Sequence, residues 1–184
     1  MAKKMKLQER FTKEMLPQLQ KDLGIKNVNA VPRMTQVVVN AGLGHFYTSG
    51  TKDFSQFVEN FKQITGQTPV IVKAKKSISN FKLREGMPNG VKVTLRGEKM
   101  YDFIEKLVNI VFPRTRDFRG ISDKSFDGHG NYSVGIKEHT VFPEVNQDDI
   151  SKLHGLQVCI STSATNDDDG RALLKTLGFP FKKN

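Results

Sequence analysis

The stretch Val91-Lys-Val-Thr-Leu-Arg96 alternates strictly between apolar and polar residues. Successive side chains of a β-strand point to opposite faces, so Val91, Val93 and Leu95 are predicted to share one face. That face suits a hydrophobic core. The opposite face would carry Lys92, Thr94 and Arg96. This stretch therefore predicts a strand with one buried face and one polar, cationic face that is open to solvent.

Residue patterns on both sides of this strand predict an α+β fold. Apolar spacing predicts helices over about 6–23, 52–65, 98–111 and 167–177, and alternation or β-rich composition predicts further strands over 34–40, 69–75, 132–136 and 156–162. This order favours a mostly antiparallel sheet with helices packed on one face. The other face would be open, as in many RNA-binding sheets. Pro17 is expected to kink or divide the first helix, and Pro113 to end the third.

Length and charge narrow the class of protein. The 184 residues predict a single domain over 1–184, with an N-terminal helical segment over 1–30. There are 29 Lys and Arg residues against 19 Asp and Glu, a net charge of +10, which predicts a polyanionic partner such as RNA. The charge is uneven, because 71–99 carries eight basic and two acidic residues whereas 144–169 carries one basic and six acidic ones. No apolar run approaches the roughly 20 residues of a membrane span, so a cytoplasmic protein without membrane contact is expected.

Two loops are predicted to take part in binding. The first, over 76–90, belongs to a run that mixes cations, hydroxyls and the aromatic ring of Phe81, a combination that suits phosphates, sugars and unpaired bases. Phe81 would either stack on a base or anchor the loop against the core. The second loop, over 113–131, is long enough to indicate a function, and Phe118 and Phe126 could hold it in an ordered conformation.

No catalytic set assembles, so neither an enzyme nor a metal or cofactor site is predicted. The single cysteine, Cys159, has no catalytic motif around it, and no metal-binding motif includes any of the four histidines, His45, His129, His139 and His154. The triplet Asp167–Asp169 could hold Mg²⁺ in a phosphotransferase or nuclease, or could stabilise the start of a helix capped by Asn166. A free-standing RNA chaperone is a further alternative.

Six segments along the chain form a recognisable set of motifs. The longest is Gly66-Gln-Thr-Pro-Val-Ile-Val-Lys-Ala-Lys-Lys-Ser-Ile-Ser-Asn-Phe-Lys-Leu-Arg-Glu-Gly86. The others are Lys92–Lys99, Phe112–Gly120, Lys124–Tyr132, Phe142–Glu144 and Gly170–Leu174. Together and in register, they closely resemble the family of bacterial ribosomal protein five of the large subunit, which binds 5S ribosomal RNA. The resemblance extends from about residue 6 to the C-terminus. His129 stands where the family commonly has Arg, Ala41 where it has Met, and Asn89 where it has an apolar residue.

The resemblance implies a structural role in the large (50S) subunit, where 5S RNA is held in the central protuberance. It implies that Asn40, Gln67 and Thr94 bind this RNA from the sheet, beside Phe81. We add Lys92 and Arg96 to these RNA-binding residues because the strand alternation places them on the same face as Thr94. We add Lys73 because it belongs to the basic run. The loop expected to reach the P-site transfer RNA carries Lys75, Lys76, Ser77, Ser79, Lys82 and Arg84.

The resemblance also implies that the region around 113–145 faces the small subunit and touches small-subunit ribosomal protein thirteen. The candidate residues of this loop are Arg114, Arg116, Arg119 and His129. Because His129 replaces an arginine, any phosphate contact there would be weaker and dependent on pH. Other expected partners are the 23S RNA and the other proteins associated with 5S RNA. The chain is expected to be a monomer within the ribosome.

Overall fold

A computed structural model describes residues 6–49, 54–145 and 153–182. The first five residues, the start of the predicted 52–65 helix and residues 146–152 of the acidic 144–169 segment lie outside these ranges. Strands are β1 (Met34–Gly42), β2 (Val70–Lys73), β3 (Pro88–Leu95), β4 (Tyr132–Ile136) and β5 (Leu156–Thr162). Helices are α1 (Leu7–Arg10), α2 (Leu16–Asp22), α3 (Gly44–Thr48), α4 (Ser55–Thr65), α5 (Gly97–Lys106), α6 (Phe112–Arg114) and α7 (Asp167–Thr176).

The five strands form one sheet in the order β2-β3-β1-β5-β4. The predicted α+β class with an open, mostly antiparallel sheet is confirmed. Among the described residues, no helix is long and apolar enough to cross a bilayer.

The chain forms two compact units, each built from separate stretches. The terminal unit comprises the residues up to Val37, Arg96–Val134 and the residues from Cys159 onward, and the inner unit comprises Val38–Leu95 and Gly135–Val158. This division does not test the expectation of a single domain, which stays a prediction.

The core of the inner unit forms where α4 packs on β3. Phe57 and Phe61 of α4 are fully buried, as the helical spacing of these residues predicts. Val91, Val93 and Leu95 of β3 are at most 2% exposed. The alternation of β3 therefore places one face of the strand in the core and leaves Lys92 and Thr94 on the other.

Each of the two prolines follows a π-helical segment, and a kink at Pro17 stays a prediction. A π-helical segment, Phe11–Met15, joins α1 to α2 without interruption, and Pro17 follows it in the first turn of α2. A second π-helical segment, Leu107–Val111, joins α5 to α6 in the same way, and Pro113 lies in α6. The expectation that Pro113 ends the helix is wrong. A π-helical turn contains one extra residue, so the wider turn accepts a ring that has no N–H and needs space near the preceding carbonyls.

The basic loop is shorter than predicted, because Pro88, Asn89 and Gly90 belong to β3. These residues are typical of turns, which is why 76–90 was expected to be loop throughout. Pro88 is the first residue of its strand, where a missing N–H is tolerated. The register shifts at Val72/Lys73, since Val72 pairs with Gly90 and Lys73 with Pro88.

Candidate nucleic-acid interface

The polar face of β3 is the centre of the candidate surface. Lys92 is exposed and Thr94 is half-buried. Within the described part of the chain, neither the Lys92 ammonium nor the Thr94 hydroxyl has a hydrogen-bond or ion-pair partner. Both groups are therefore available to a ligand that approaches this face.

The structure brings Gln67 to the same strand. Its Nε2 atom donates a hydrogen bond of 3.3 Å to the Thr94 carbonyl oxygen. Gly66 ends α4 in the left-handed conformation, with φ of 65°, and this turn directs the chain from the helix towards β2. Asn40 is half-buried on β1, the strand next to β3. Three residues that the resemblance implied thus lie on or beside β3.

Arg96 follows β3 and belongs to the terminal unit. It is exposed, and its Nη2 atom donates a hydrogen bond of 2.6 Å to Gln36 Oε1. The partner of the guanidinium group in this contact is therefore a neutral amide and not a carboxylate. No other described residue pairs with the remaining N–H groups of Arg96, so these can meet a phosphate.

The edge strand β2 shows a feature that the sequence did not predict. Val70, Ile71 and Val72 are 62%, 40% and 38% exposed, although all three side chains are apolar. Val70 pairs with Lys92, so the two side chains share the open face. The candidate surface is therefore apolar at its edge as well as cationic. Composition alone cannot reveal this, because it does not show that β2 lies at the end of the sheet.

The basic loop between β2 and β3 is an ordered hairpin. Ala74 and Met87 are joined by a backbone hydrogen bond of 2.8 Å, and Ile78 and Leu83 form an isolated antiparallel bridge. Ser77 Oγ accepts a hydrogen bond of 2.9 Å from the Glu85 N–H. The candidate cations and hydroxyls along this hairpin are all exposed: Lys73, Lys75, Lys76, Ser77, Ser79, Lys82 and Arg84.

Phe81 lies at the tip of this hairpin and is 70% exposed. The alternative that it anchors the loop against the core is therefore wrong. A short 3₁₀ helix, Ser79–Phe81, and a left-handed Lys82 with φ of 51° form the tip. Beside it lies an open depression of about 620 Å³. Its lining residues are Ser77, Ser79, Lys82, Leu83, Arg84 and Met87.

The long loop of the terminal unit is ordered by its aromatic residues. Phe118 stacks on Phe112 at a centroid distance of 5.3 Å, and Phe126 contacts Tyr132 at 4.8 Å. The loop begins after Arg114, which is the last residue of α6. All four candidate residues of this region are exposed: Arg114, Arg116, Arg119 and His129.

A second set of contacts orders the end of this loop around Asp127. Its Oδ1 atom accepts hydrogen bonds from the N–H groups of His129 (2.9 Å) and Asn131 (3.0 Å). Its Oδ2 atom accepts a bond of 2.7 Å from Asn131 Nδ2. The bond from the Asn131 side chain, followed by that from the His129 backbone, lowers the pKa of Asp127. The carboxylate therefore stays ionised at any pH near neutrality.

The three carboxylates of Asp167–Asp169 have separate environments. Asn166 caps α7, as predicted, because its Oδ1 atom accepts a hydrogen bond of 2.8 Å from the Asp169 N–H. Asp168 has a side chain that is 93% exposed, and it lies 3.8 Å from Arg171. Asp167 Oδ1 instead accepts a bond of 3.0 Å from the Gly130 N–H. No group of acidic, His or Cys residues within the described ranges is arranged to hold a metal ion.

A basic α+β fold, an open strand face with solvent-accessible polar groups and an ordered basic hairpin are characteristic of nucleic-acid-binding proteins. Comparison with known protein families narrows this broad class to one family. The family model for ribosomal protein L5 matches residues 27–84, and the model for the C-terminus of the same ribosomal family matches 88–181. The chain belongs to the ribosomal protein L5 family.

Relatives from bacteria match almost the whole chain. The large ribosomal subunit protein uL5 of Geotalea uraniireducens is 52% identical over 177 residues, which cover 96% of this chain and 98% of the relative. The protein of the same name from Desulforapulum autotrophicum is 54% identical over 176 residues, with the same coverage. That from a Synechococcus strain is 48% identical over 180 residues, or 98% of this chain and all of the relative.

Family membership confirms the resemblance that the sequence motifs indicated. Members of the family are structural components of the large ribosomal subunit in the cytoplasm, and they are not enzymes. Membership implies association with ribosomal RNA. The phosphotransferase alternative for Asp167–Asp169 is thereby set aside.

Proposed function

We propose that this chain binds 5S ribosomal RNA through the open face of β3 and helps to attach that RNA in the central protuberance of the large subunit. The observation that carries the proposal is the contrast between the two faces of one strand. Val93 on the inner face is 2% exposed, whereas Lys92 and Thr94 on the outer face carry polar groups that have no partner among the described residues. The inner face fixes the strand, so the outer face meets RNA without rearrangement.

The chemistry of this face suits a folded RNA more than a featureless polyanion. Lys92 can neutralise a phosphate, and Thr94 Oγ1 can exchange a hydrogen bond with a ribose hydroxyl or a base edge. Gln67 has one further amide N–H and its carbonyl oxygen for a second contact. These groups have fixed positions because their backbones lie in or beside the sheet. Fixed positions favour one RNA shape over others, which distinguishes this proposal from a free-standing RNA chaperone.

A salt titration of RNA binding tests the proposal. The full-length chain is titrated with 5S RNA at several salt concentrations, with an unrelated structured RNA of equal length as competitor. If about six phosphates are contacted, the plot of log affinity against log salt should have a slope of about −4 to −5. A strong preference for 5S RNA supports the proposal. An equally steep slope without preference would favour the chaperone.

We propose a second contact, between the hairpin that carries Phe81 and the P-site transfer RNA. Lys75 and Lys76 supply charge near the base of the hairpin, and Phe81 presents an exposed aromatic face at its tip. An exposed ring can stack on an unpaired base, and lysines can neutralise the phosphates beside it.

We expect the double substitution Lys75→Ala/Lys76→Ala to weaken transfer-RNA contact in assembled ribosomes about tenfold, because two phosphate contacts are lost. Binding of 5S RNA should change much less. The measurement is chemical footprinting of P-site transfer RNA, alongside 5S RNA binding by the purified chain. Lys21→Ala/Lys175→Ala removes the same charge from two exposed lysines and serves as the control. A greater loss in 5S RNA binding than in footprinting would reverse this division of roles.

We further propose that the loop over 115–131, with Arg114 at its start, faces the small subunit and contacts small-subunit ribosomal protein thirteen. Its exposed cations lie on a loop that Phe118 and Phe126 already order. An ordered loop on a free protein is expected where a preformed surface is needed. We also propose that the chain contacts the 23S RNA and the other proteins that associate with 5S RNA, and that one copy of it is present in each ribosome.

A further inference from the structure

We propose that Asp167 is a positioning residue: it holds the loop Asp127–Asn131 in one conformation before any partner binds, and so fixes where His129 is presented. This inference rests on the proposed small-subunit contact of that region. It concerns a motif, Asp167–Asp169, whose first carboxylate is needed for neither the cap nor the charge pair of α7.

The key contact is the hydrogen bond of 3.0 Å from the Gly130 N–H to Asp167 Oδ1. Gly130 is buried and has a φ of 77°, a backbone conformation that residues other than glycine rarely adopt. Its carbonyl oxygen accepts a bond of 2.9 Å from Thr162 Oγ1 at the end of β5. The backbone of Gly130 is therefore held on one side by α7 and on the other by β5.

The neighbouring residue is fixed by the same elements. Asn131 Oδ1 accepts a hydrogen bond of 2.9 Å from the Thr162 N–H, while the Asn131 side chain donates to Asp127. Asp127 in turn accepts from the His129 N–H. All these contacts lie within the terminal unit. Only the His129 side chain, which is exposed, points away from them to solvent.

Steric contacts leave the loop little freedom to move. A Cβ atom at Gly130 would lie 2.6 Å from Ala164 Cβ and 2.7 Å from the Asn166 carbonyl oxygen. A Cβ atom at Gly170 of α7 would lie 2.5 Å from the Gly130 carbonyl oxygen. The loop thus lies directly against the first turn of α7, which brings Asp167 within reach of the Gly130 N–H.

Asp168 provides a natural comparison. It shares the first turn of α7 with Asp167 and therefore the same favourable interaction with the helix dipole. However, its side chain is 93% exposed, and it forms an ion pair of 3.8 Å with Arg171. A loss seen on removal of Asp167 but not of Asp168 is therefore a loss of the loop contact, not of helix stability.

A preformed loop binds with less loss of conformational entropy than a mobile one. The structure thus assigns to Asp167 an indirect role in binding. It lies outside the contact surface and acts by keeping His129 and its neighbours in a single arrangement.

The first test is hydrogen exchange of the Gly130 amide, measured by NMR on the full-length chain. A hydrogen bond from a backbone N–H to a carboxylate is strong, so Asp167→Ala should speed the exchange about tenfold to hundredfold. Asp167→Asn keeps an acceptor oxygen and should restore most of the protection. Asp168→Ala should match the wild type, as should the melting temperatures of all three variants within a few degrees. Unchanged exchange in Asp167→Ala overturns the proposal.

The second test measures association of ribosomal subunits that carry each variant. Asp167→Ala should weaken association about threefold to tenfold, with recovery in Asp167→Asn, and Arg119→Ala serves as the direct-contact variant. If Arg119→Ala weakens association and Asp167→Ala does not, the positioning role is overturned. If neither variant affects association although Gly130 exchange rises in Asp167→Ala, the proposed small-subunit contact fails, and Asp167 keeps only its role in ordering the loop.

Discussion

Gly90→Ala should be among the most damaging single substitutions in this protein, with an expected loss of about 3 kcal/mol in the free energy of unfolding. A Cβ atom at Gly90 would lie 2.4 Å from the Ala41 carbonyl oxygen on the neighbouring strand β1. That neighbour is backbone, so relief requires the two strands to separate. Small domains are stable by only about 5–15 kcal/mol, which makes this a large fraction of the total.

The same substitution should weaken RNA binding, because β1 carries Asn40 and β3 carries Lys92 and Thr94. Equilibrium urea unfolding measures the first effect and 5S RNA titration the second. Gly42→Ala is the matched control, since a Cβ atom at Gly42 meets no atom within 4 Å. It should be neutral or slightly stabilising. Equal unfolding midpoints for the two variants would contradict the close approach of β1 and β3.

The elements with a strong local period could be predicted from the sequence. The alternation in β3 and the apolar stripe of α4 each depend on a burial pattern that repeats within one element. The cap of α7 by Asn166 was also predictable, because its side-chain bond reaches only three residues along the chain.

Features that depend on distant parts of the chain could not be predicted in this way. Pro88 and Gly90 have the local preferences of a turn, and only the neighbouring strands make them part of β3. Ile71 pairs with the buried Val91 and is nevertheless 40% exposed, which depends on the place of β2 at the sheet edge. In each case the structure of the segment is determined by its contacts with other elements and not by its local sequence pattern.

In the candidate site, too, the features set by a local pattern could be predicted, and the contacts between distant residues could not. The face that carries Lys92 and Thr94 followed from alternation, whereas the bond from Gln67 to the Thr94 carbonyl joins residues that are 27 positions apart. The Asp167 contact with Gly130 spans 37 positions. No local signal marks such a pair, and a sequence interpretation therefore offered only helix stabilisation or a metal for Asp167.

The double substitution Lys92→Ala/Thr94→Val is expected to weaken 5S RNA binding by about 2–3 kcal/mol, because it removes one charged and one neutral hydrogen-bonding group. This corresponds to roughly a 30- to 150-fold rise in the dissociation constant. The salt slope should become less steep by about 0.7–0.9, since one cation is lost. The fold should persist, because both side chains lie on the open face and the buried face of β3 is unchanged.

Lys175→Ala/Thr165→Val is the appropriate control for this variant, because it removes the same two residue types from exposed positions in the terminal unit. It should lower the salt slope only slightly and leave the preference for 5S RNA over the competitor intact. The Lys92/Thr94 variant should lose part of that preference, since Thr94 contributes shape-dependent hydrogen bonding as well as affinity. If both variants lose the same affinity and keep the same preference, the net charge of the chain drives binding, and β3 does not recognise the RNA.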